Sequence, residues 1–248
     1  MPHDLDALLA RAQADSSVLG VLLSGSRAHH GMGTEHSDHD IHVVVRDDGP
    51  SAFADWDGYR SPTLDLVVLP LADFTRRGLP GDEQSWMRYA YVHARLLFDR
   101  FDGGIAELLE RKRALLPDEA RAAVDGWLDA YVNQTYRSLK SFRDGRPELG
   151  HLDAAESVPF LLEVAFALHR RVRPYNKFLG WELTNHPLAT AGWSAERLLP
   201  LLRRLLADGD PGVQRGLFAE VEPVARAAGH AAVLDSWGVD LELLRPRG

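Results

Sequence analysis

The chain contains no cysteine. That excludes disulfides and thiolate metal sites, so any metal chemistry must come from other side chains. Positive charge is also in short supply. Lys and Arg number 28 against 36 Asp and Glu, a formal net charge of −8, which argues against broad nucleic-acid binding. No apolar run approaches the length of a bilayer span, so no membrane partner is expected. The pattern G-x-x-x-x-G-K-[ST] is missing, which excludes a P-loop, and Gly31-Met32-Gly33 lacks the third glycine of a dinucleotide-binding turn. The opening residues, MPHDLDALLARAQADSS, carry early acids and no long apolar stretch. Leu5, Leu8, Leu9 and Ala12 predict an amphipathic helix there rather than a signal peptide, and the expected location is the cytoplasm.

What is present suits a soluble globular protein. The 248 residues are 45% hydrophobic, enough to bury the core of one large domain or two modest ones. Short apolar runs predict strands over 20–23, 41–45 and 64–69, the last stopped by Pro70. A helix over 82–90 and a strand over 92–98 follow. From about residue 104 the apolar spacing turns helical, with helices expected over 117–144, 153–171, 195–207 and 212–228. The expected fold is α+β: an N-terminal unit with a small mixed β-sheet over 1–103, then a C-terminal helical bundle over 104–248.

Between the first two strands lies SGSRAHHGMGTEHSDHD, residues 24–40, the least core-like run in the chain. In extended backbone Asp38 and Asp40 point the same way, and a divalent cation relieves the repulsion between two such carboxylates. Asp65 sits inside the apolar run LDLVVL, where a charge is costly unless it is paired, hydrated or metal-bound. If the strands at 41–45 and 64–69 are neighbours, all three acids meet at one sheet edge. Gly25 permits a tight turn and close backbone approach; the Ser26 hydroxyl and nearby amides suit phosphate oxygens, and Arg27 adds a cation. His29, His30, His36, His39 and His42 make no recognised zinc spacing and read as parts of a polar loop. The carboxylates favour Mg²⁺.

Taken in order, Gly25-Ser26, Asp38-His39-Asp40 and Asp65 resemble the signature of the DNA polymerase beta-like nucleotidyltransferase superfamily. Gly25-Ser26-Arg27-Ala28 with Ser37-Asp38-His39-Asp40 is most similar to its minimal and antibiotic-modifying members. The resemblance covers residues 18–69 and implies that Asp38, Asp40 and Asp65 hold Mg²⁺ against a triphosphate. It implies ATP or another nucleoside triphosphate as donor, a hydroxyl-bearing, aminoglycoside-like small molecule as acceptor, and pyrophosphate as leaving group. Asp65 would help bind the metal that lowers the pKa of the acceptor hydroxyl, or accept its proton. Antibiotic-modifying members use a glutamate of the helical domain as base, which makes Glu156 and Glu163 candidates, although Asp153 and Glu156 also have capping-box spacing at an expected helix start. Lys140, Tyr175, Asn176 and Lys177, near expected helix ends, are candidates for phosphate and nucleobase contacts. A protein-AMPylating antitoxin and a nucleotide-binding regulator without turnover are the alternatives.

Overall fold

The computed structural model describes residues 4–246. Helix α1 (Leu5–Ala14) begins where the Asp4 carboxylate accepts the amide of Ala7 at 2.8 Å, and it buries Leu8 and Ala12. Strand β1 (Val18–Ser24) is buried along its whole length. A single helical turn, α2 (Gly25–Ala28), and a polar loop lead to β2 (His39–Val45). Strand β3 (Leu64–Pro70) passes directly into α3 (Leu71–Arg76). A 3₁₀ turn at Ser85–Arg88 and the short helix α4 (Tyr89–Val92) stand where one helix over 82–90 was expected. Strand β4 (Arg95–Asp99) and helix α5 (Gly104–Arg113) follow.

The four strands form one mixed sheet in the order β3-β2-β1-β4. β1 is antiparallel to β2 and β4, whereas β2 and β3 run parallel. Both faces are covered, which is why the strand sequences are nearly continuous apolar runs. Val21, Leu23, Ile41 and Val43 pack with Leu8, Ala12 and Phe53 on one side. Leu19, Leu22 and Val44 pack with Phe74, Tyr91, Ile105 and Leu109 on the other.

The second half is helical: α6 (Pro117–Arg143), α7 (Pro147–Ala167), α8 (Leu179–Asn185), α9 (Ala195–Asp208), α10 (Pro211–Ala227) and α11 (Ala231–Asp235). Helices α6, α7 and α10 open on proline, whose missing amide would lack a partner in a first turn anyway. Their core gathers Leu128, Tyr131, Leu161, Phe166, Trp193 and Phe218. Helix α7 starts at Pro147, so Asp153 and Glu156 lie inside it and the expected cap at Asp153 does not exist. The described residues divide between Ala114 and Leu115 into two compact units. Helix α5, expected with the helical half, buries Ile105 and Leu109 with the sheet and falls in the first unit. Among the described residues, no helix is long and apolar enough to cross a membrane.

Candidate functional site

Strand register assembles the acids. Asp40 stands opposite Asp65 in the parallel β2–β3 pair and opposite Ser24 in the antiparallel β1–β2 pair. Side chains directly opposite one another share a sheet face, so two carboxylates meet beside the end of β1. Asp38, two residues earlier, joins them: one oxygen from each of Asp38, Asp40 and Asp65 lies within 4.8 Å of the others, and all three residues are partly exposed. Arg60 offsets some of this charge, with its Nε 3.3 Å from Asp65 Oδ2, but its side chain is 80% exposed, and such a pair contributes little. An oxygen-only set of clustered carboxylates suits a hard divalent cation such as Mg²⁺.

Gly25 is required twice over. Its φ is +66°, a conformation that side chains other than glycine's rarely accept. A Cβ built there would also lie 1.7 Å from Asp40 Oδ2, so the absent side chain is the space the carboxylate occupies.

The loop after it is held by its own polar groups. Ser26 Oγ bonds Ser37 Oγ at 3.1 Å, and Ser37 Oγ accepts the Thr34 amide at 3.0 Å. Arg27 donates from Nε and Nη2 to the Ser37 carbonyl at 2.8 and 2.5 Å, and from Nε to the Asp38 carbonyl at 3.1 Å. Its guanidinium therefore braces the backbone that presents Asp38. Arg27 also lines an open pocket of about 430 Å³ together with His30, Gly31, Thr34 and Arg95.

The histidines do other work. His29 is buried, with Nδ1 at 2.7 Å from the Gly25 carbonyl and Nε2 at 3.3 Å from the Tyr89 hydroxyl. His39 Nδ1 meets the Thr63 carbonyl at 3.1 Å, and His36 faces solvent beside Glu35. His42 lies in the core between Ser24 and Tyr91, where burial, assisted by the Arg77 charge, pushes its imidazole down to about 4. Among the described residues, the three acids are the group whose ligand atoms gather as a metal would need.

In the helical unit the candidates fall into two groups. Lys140 and Glu156 line an open pocket of about 420 Å³ with Arg137, Leu152 and Asp153. There Glu156 Oε2 accepts from Gln134 Nε2 at 2.9 Å, and Asp153, 3.6 Å from Arg137, has its carboxyl pushed up by burial. Glu163 and Asn176 instead share Arg173, at 3.4 and 3.0 Å. Burial raises the Glu163 carboxyl, with Arg173 opposing the shift. Tyr175 is partly buried at the start of the Asn176–Phe178 turn, and Lys177 Nζ lies 4.7 Å from the Phe178 ring centre.

The chain matches no protein-family model and no curated protein sequence. Among solved structures it is similar to a nucleotidyltransferase-like protein from Exiguobacterium sibiricum 255-15, with a TM-score of 0.46 and 13% identity over 96% of this chain and 76% of that one. A likeness at that level assigns no chemistry to this chain.

Sequence reasoning missed Arg60, Arg95, and the buried trio Ser24, His42 and Tyr91. Arg60 and Arg95 stand in no motif; only pairing places them, Arg60 bridged to Asp65 and Arg95 opposite Leu23. A histidine within the apolar run Ile41–Val45 was the one visible signal for the trio.

Proposed function

We propose that this chain is a divalent-cation-dependent nucleotidyltransferase, moving a nucleoside monophosphate, AMP from ATP in the leading case, to a hydroxyl of a small molecule. The observation that carries the reading is the in-register pair Asp40 and Asp65, joined by Asp38 within 4.8 Å and packed against a glycine that leaves room for no side chain. In the reaction, the acceptor oxygen forms a bond to the α-phosphorus, the bond from that phosphorus to the bridging oxygen breaks, and pyrophosphate leaves. A bound Mg²⁺ would neutralise phosphate charge and lower the pKa of the acceptor hydroxyl. Asp38 and Asp40 orient the triphosphate side of the site. Asp65, on the neighbouring strand, accepts the acceptor's proton. Gly25 and the loop amides after it hold phosphate oxygens, with Ser26 contributing its hydroxyl. Arg27 acts chiefly by keeping Asp38 in place.

An amine-bearing, aminoglycoside-like acceptor fits the net charge of −8. Glu156, Glu163, Lys140, Tyr175, Asn176 and Lys177 are the candidates for further substrate contacts.

The test is a mass-resolved screen of hydroxyl-bearing acceptors with ATP, GTP, CTP and UTP in Mg²⁺, with pyrophosphate quantified. The expected product carries one added nucleotidyl group, with one pyrophosphate released per product. Tight nucleotide binding with no consumption across a broad panel would replace this reading with that of a nucleotide-binding regulator.

A further inference from the structure

Histidine is a costly choice at position 42. It stands opposite Leu22 on β1, two residues from Val44, and both of those side chains pack into the apolar layer with Tyr91 and Ile105. An apolar side chain would bury there without needing a hydrogen-bond partner. His42 is nevertheless 4% exposed, and each ring nitrogen has a polar neighbour: Nε2 lies 3.1 Å from Ser24 Oγ and Nδ1 lies 3.5 Å from the Tyr91 hydroxyl. Ser24 is 3% exposed, and its hydroxyl donates to the backbone carbonyl of Asp40 at 3.3 Å.

A neutral imidazole offers one donor and one acceptor. One assignment uses each group once and in a single direction. Tyr91 donates to Nδ1, Nε2–H donates to Ser24, and Ser24 donates to the Asp40 carbonyl. The chain of bonds ends on the residue whose carboxylate fills the space left by Gly25, at the point where β1 stops and β2 has just begun. Strand ends open more readily than strand centres, so an extra bond matters most there.

We propose that Tyr91, His42 and Ser24 are positioning residues, a buried hydrogen-bond chain that fixes the backbone of Asp40 and thereby the angle at which its carboxylate enters the acid cluster. The proposal rests on reading that cluster as a metal centre. Groups that orient metal ligands typically change metal affinity ~10- to 100-fold when removed, and a chain acting through a backbone carbonyl belongs at the lower end.

The test is Mn²⁺ binding to the full-length protein, followed by the electron paramagnetic resonance of free Mn²⁺, with the thermal midpoint of each metal-free variant measured alongside. Ser24→Ala should weaken Mn²⁺ binding ~10-fold and Tyr91→Phe ~3-fold. The double variant should be no weaker than Ser24→Ala alone, because the chain is already broken. Imidazole ¹⁵N shifts of the metal-free wild type should show Nε2 protonated and Nδ1 bare. Wild-type affinity in both single variants, or additive losses that follow the fall in thermal midpoint, would overturn the positioning role while leaving the metal centre standing. Absence of Mn²⁺ binding by the wild type would overturn both.

Discussion

Asp65 is the residue on which the acid cluster turns, because it alone comes from a separate strand. Asp65→Asn keeps the shape but removes a charge, and should lower turnover by ~100-fold or more, the scale expected when a group that activates or positions substrate is lost. The measurement is pyrophosphate release under saturating nucleotide, with circular dichroism confirming the fold. Arg60 gives an opposite expectation. Its guanidinium, 3.3 Å from Asp65, competes with any cation for that carboxylate. Arg60→Ala should tighten Mn²⁺ binding, by no more than ~5-fold because an exposed ion pair is worth at most about 1 kcal/mol. A titration showing weaker binding would mean that Arg60 supports the site rather than competing for it. Gly25→Ala combines a strained φ with a methyl group 1.7 Å from Asp40 Oδ2. It should displace the carboxylate and abolish Mn²⁺ binding at concentrations that saturate the wild type.

At the scale of elements, helices and strands meet through small residues and buried charge. Helices α6 and α7 approach so closely at Gly150 that a Cβ there would lie 2.6 Å from the Phe142 ring. Gly150→Ala gains helix propensity but forces the ring and the helix apart, for a net loss of about 1–2 kcal/mol in a denaturant titration. Helix α5 docks through Lys112, which is fully buried and donates to the carbonyls of Thr75 and Arg77 at 3.1 and 2.9 Å. Burial, then the nearby Arg88 and Arg111 charges, pushes this ammonium down to about 8 from 10.5, with Asp82 opposing. Between those two values the unfolded chain holds a proton that the folded chain has released, so stability rises with pH across that window. Relative to Lys112→Met, which has no such proton, the wild type should gain up to about 3 kcal/mol between pH 8 and 10.5. A flat difference between the two melting profiles would contradict this. Glu156→Gln and Glu163→Gln separate the two helical carboxylates. Glu163 is partly buried against Arg173, and losing its charge leaves that arginine without its ion pair; Glu156 is exposed, and a glutamine there keeps an oxygen that can still accept from Gln134. A catalytic loss in either variant with unchanged thermal midpoint would assign it a substrate contact.

For the molecule as a whole, an acidic chain without disulfides gathers negative charge where β2 and β3 begin, and a bound cation should stabilise it by mass action. At 100 times its dissociation constant, a metal that binds only the folded state adds about 2.7 kcal/mol. Mg²⁺ should therefore raise the melting temperature of the wild type and leave that of Asp65→Asn unchanged, as followed by calorimetry. An equal shift in both proteins would point to nonspecific ionic screening.

Much of this was legible in the chain itself. The strands at 20–23, 41–45 and 64–69, the helices at 195–207 and 212–228, and the Gly-Ser and Asp-x-Asp pattern all follow from local rules of spacing, turn chemistry and the cost of burying charge. Local rules mislead where two local signals compete, and they fail where a decision depends on a partner elsewhere in the chain. Asp153 and Glu156 have the spacing of a cap, yet Pro147 starts the helix a turn and a half earlier and places both in its interior. Arg27 looks like a phosphate ligand, and the fold gives it a second task that spacing does not show, because the Ser37 and Asp38 carbonyls ten and eleven residues away hold its Nε and Nη2. His42 reads with the neighbouring histidines although it lies inside the apolar run 41–45, and its burial becomes plain once β1 and Tyr91 close over it. The sequence by itself determined which residues could carry charge, make turns or fill a core. Only the tertiary structure decided which carboxylates share a face, because strand order and register bring Asp40 and Asp65 together across twenty-five residues of chain and no local preference encodes that pairing.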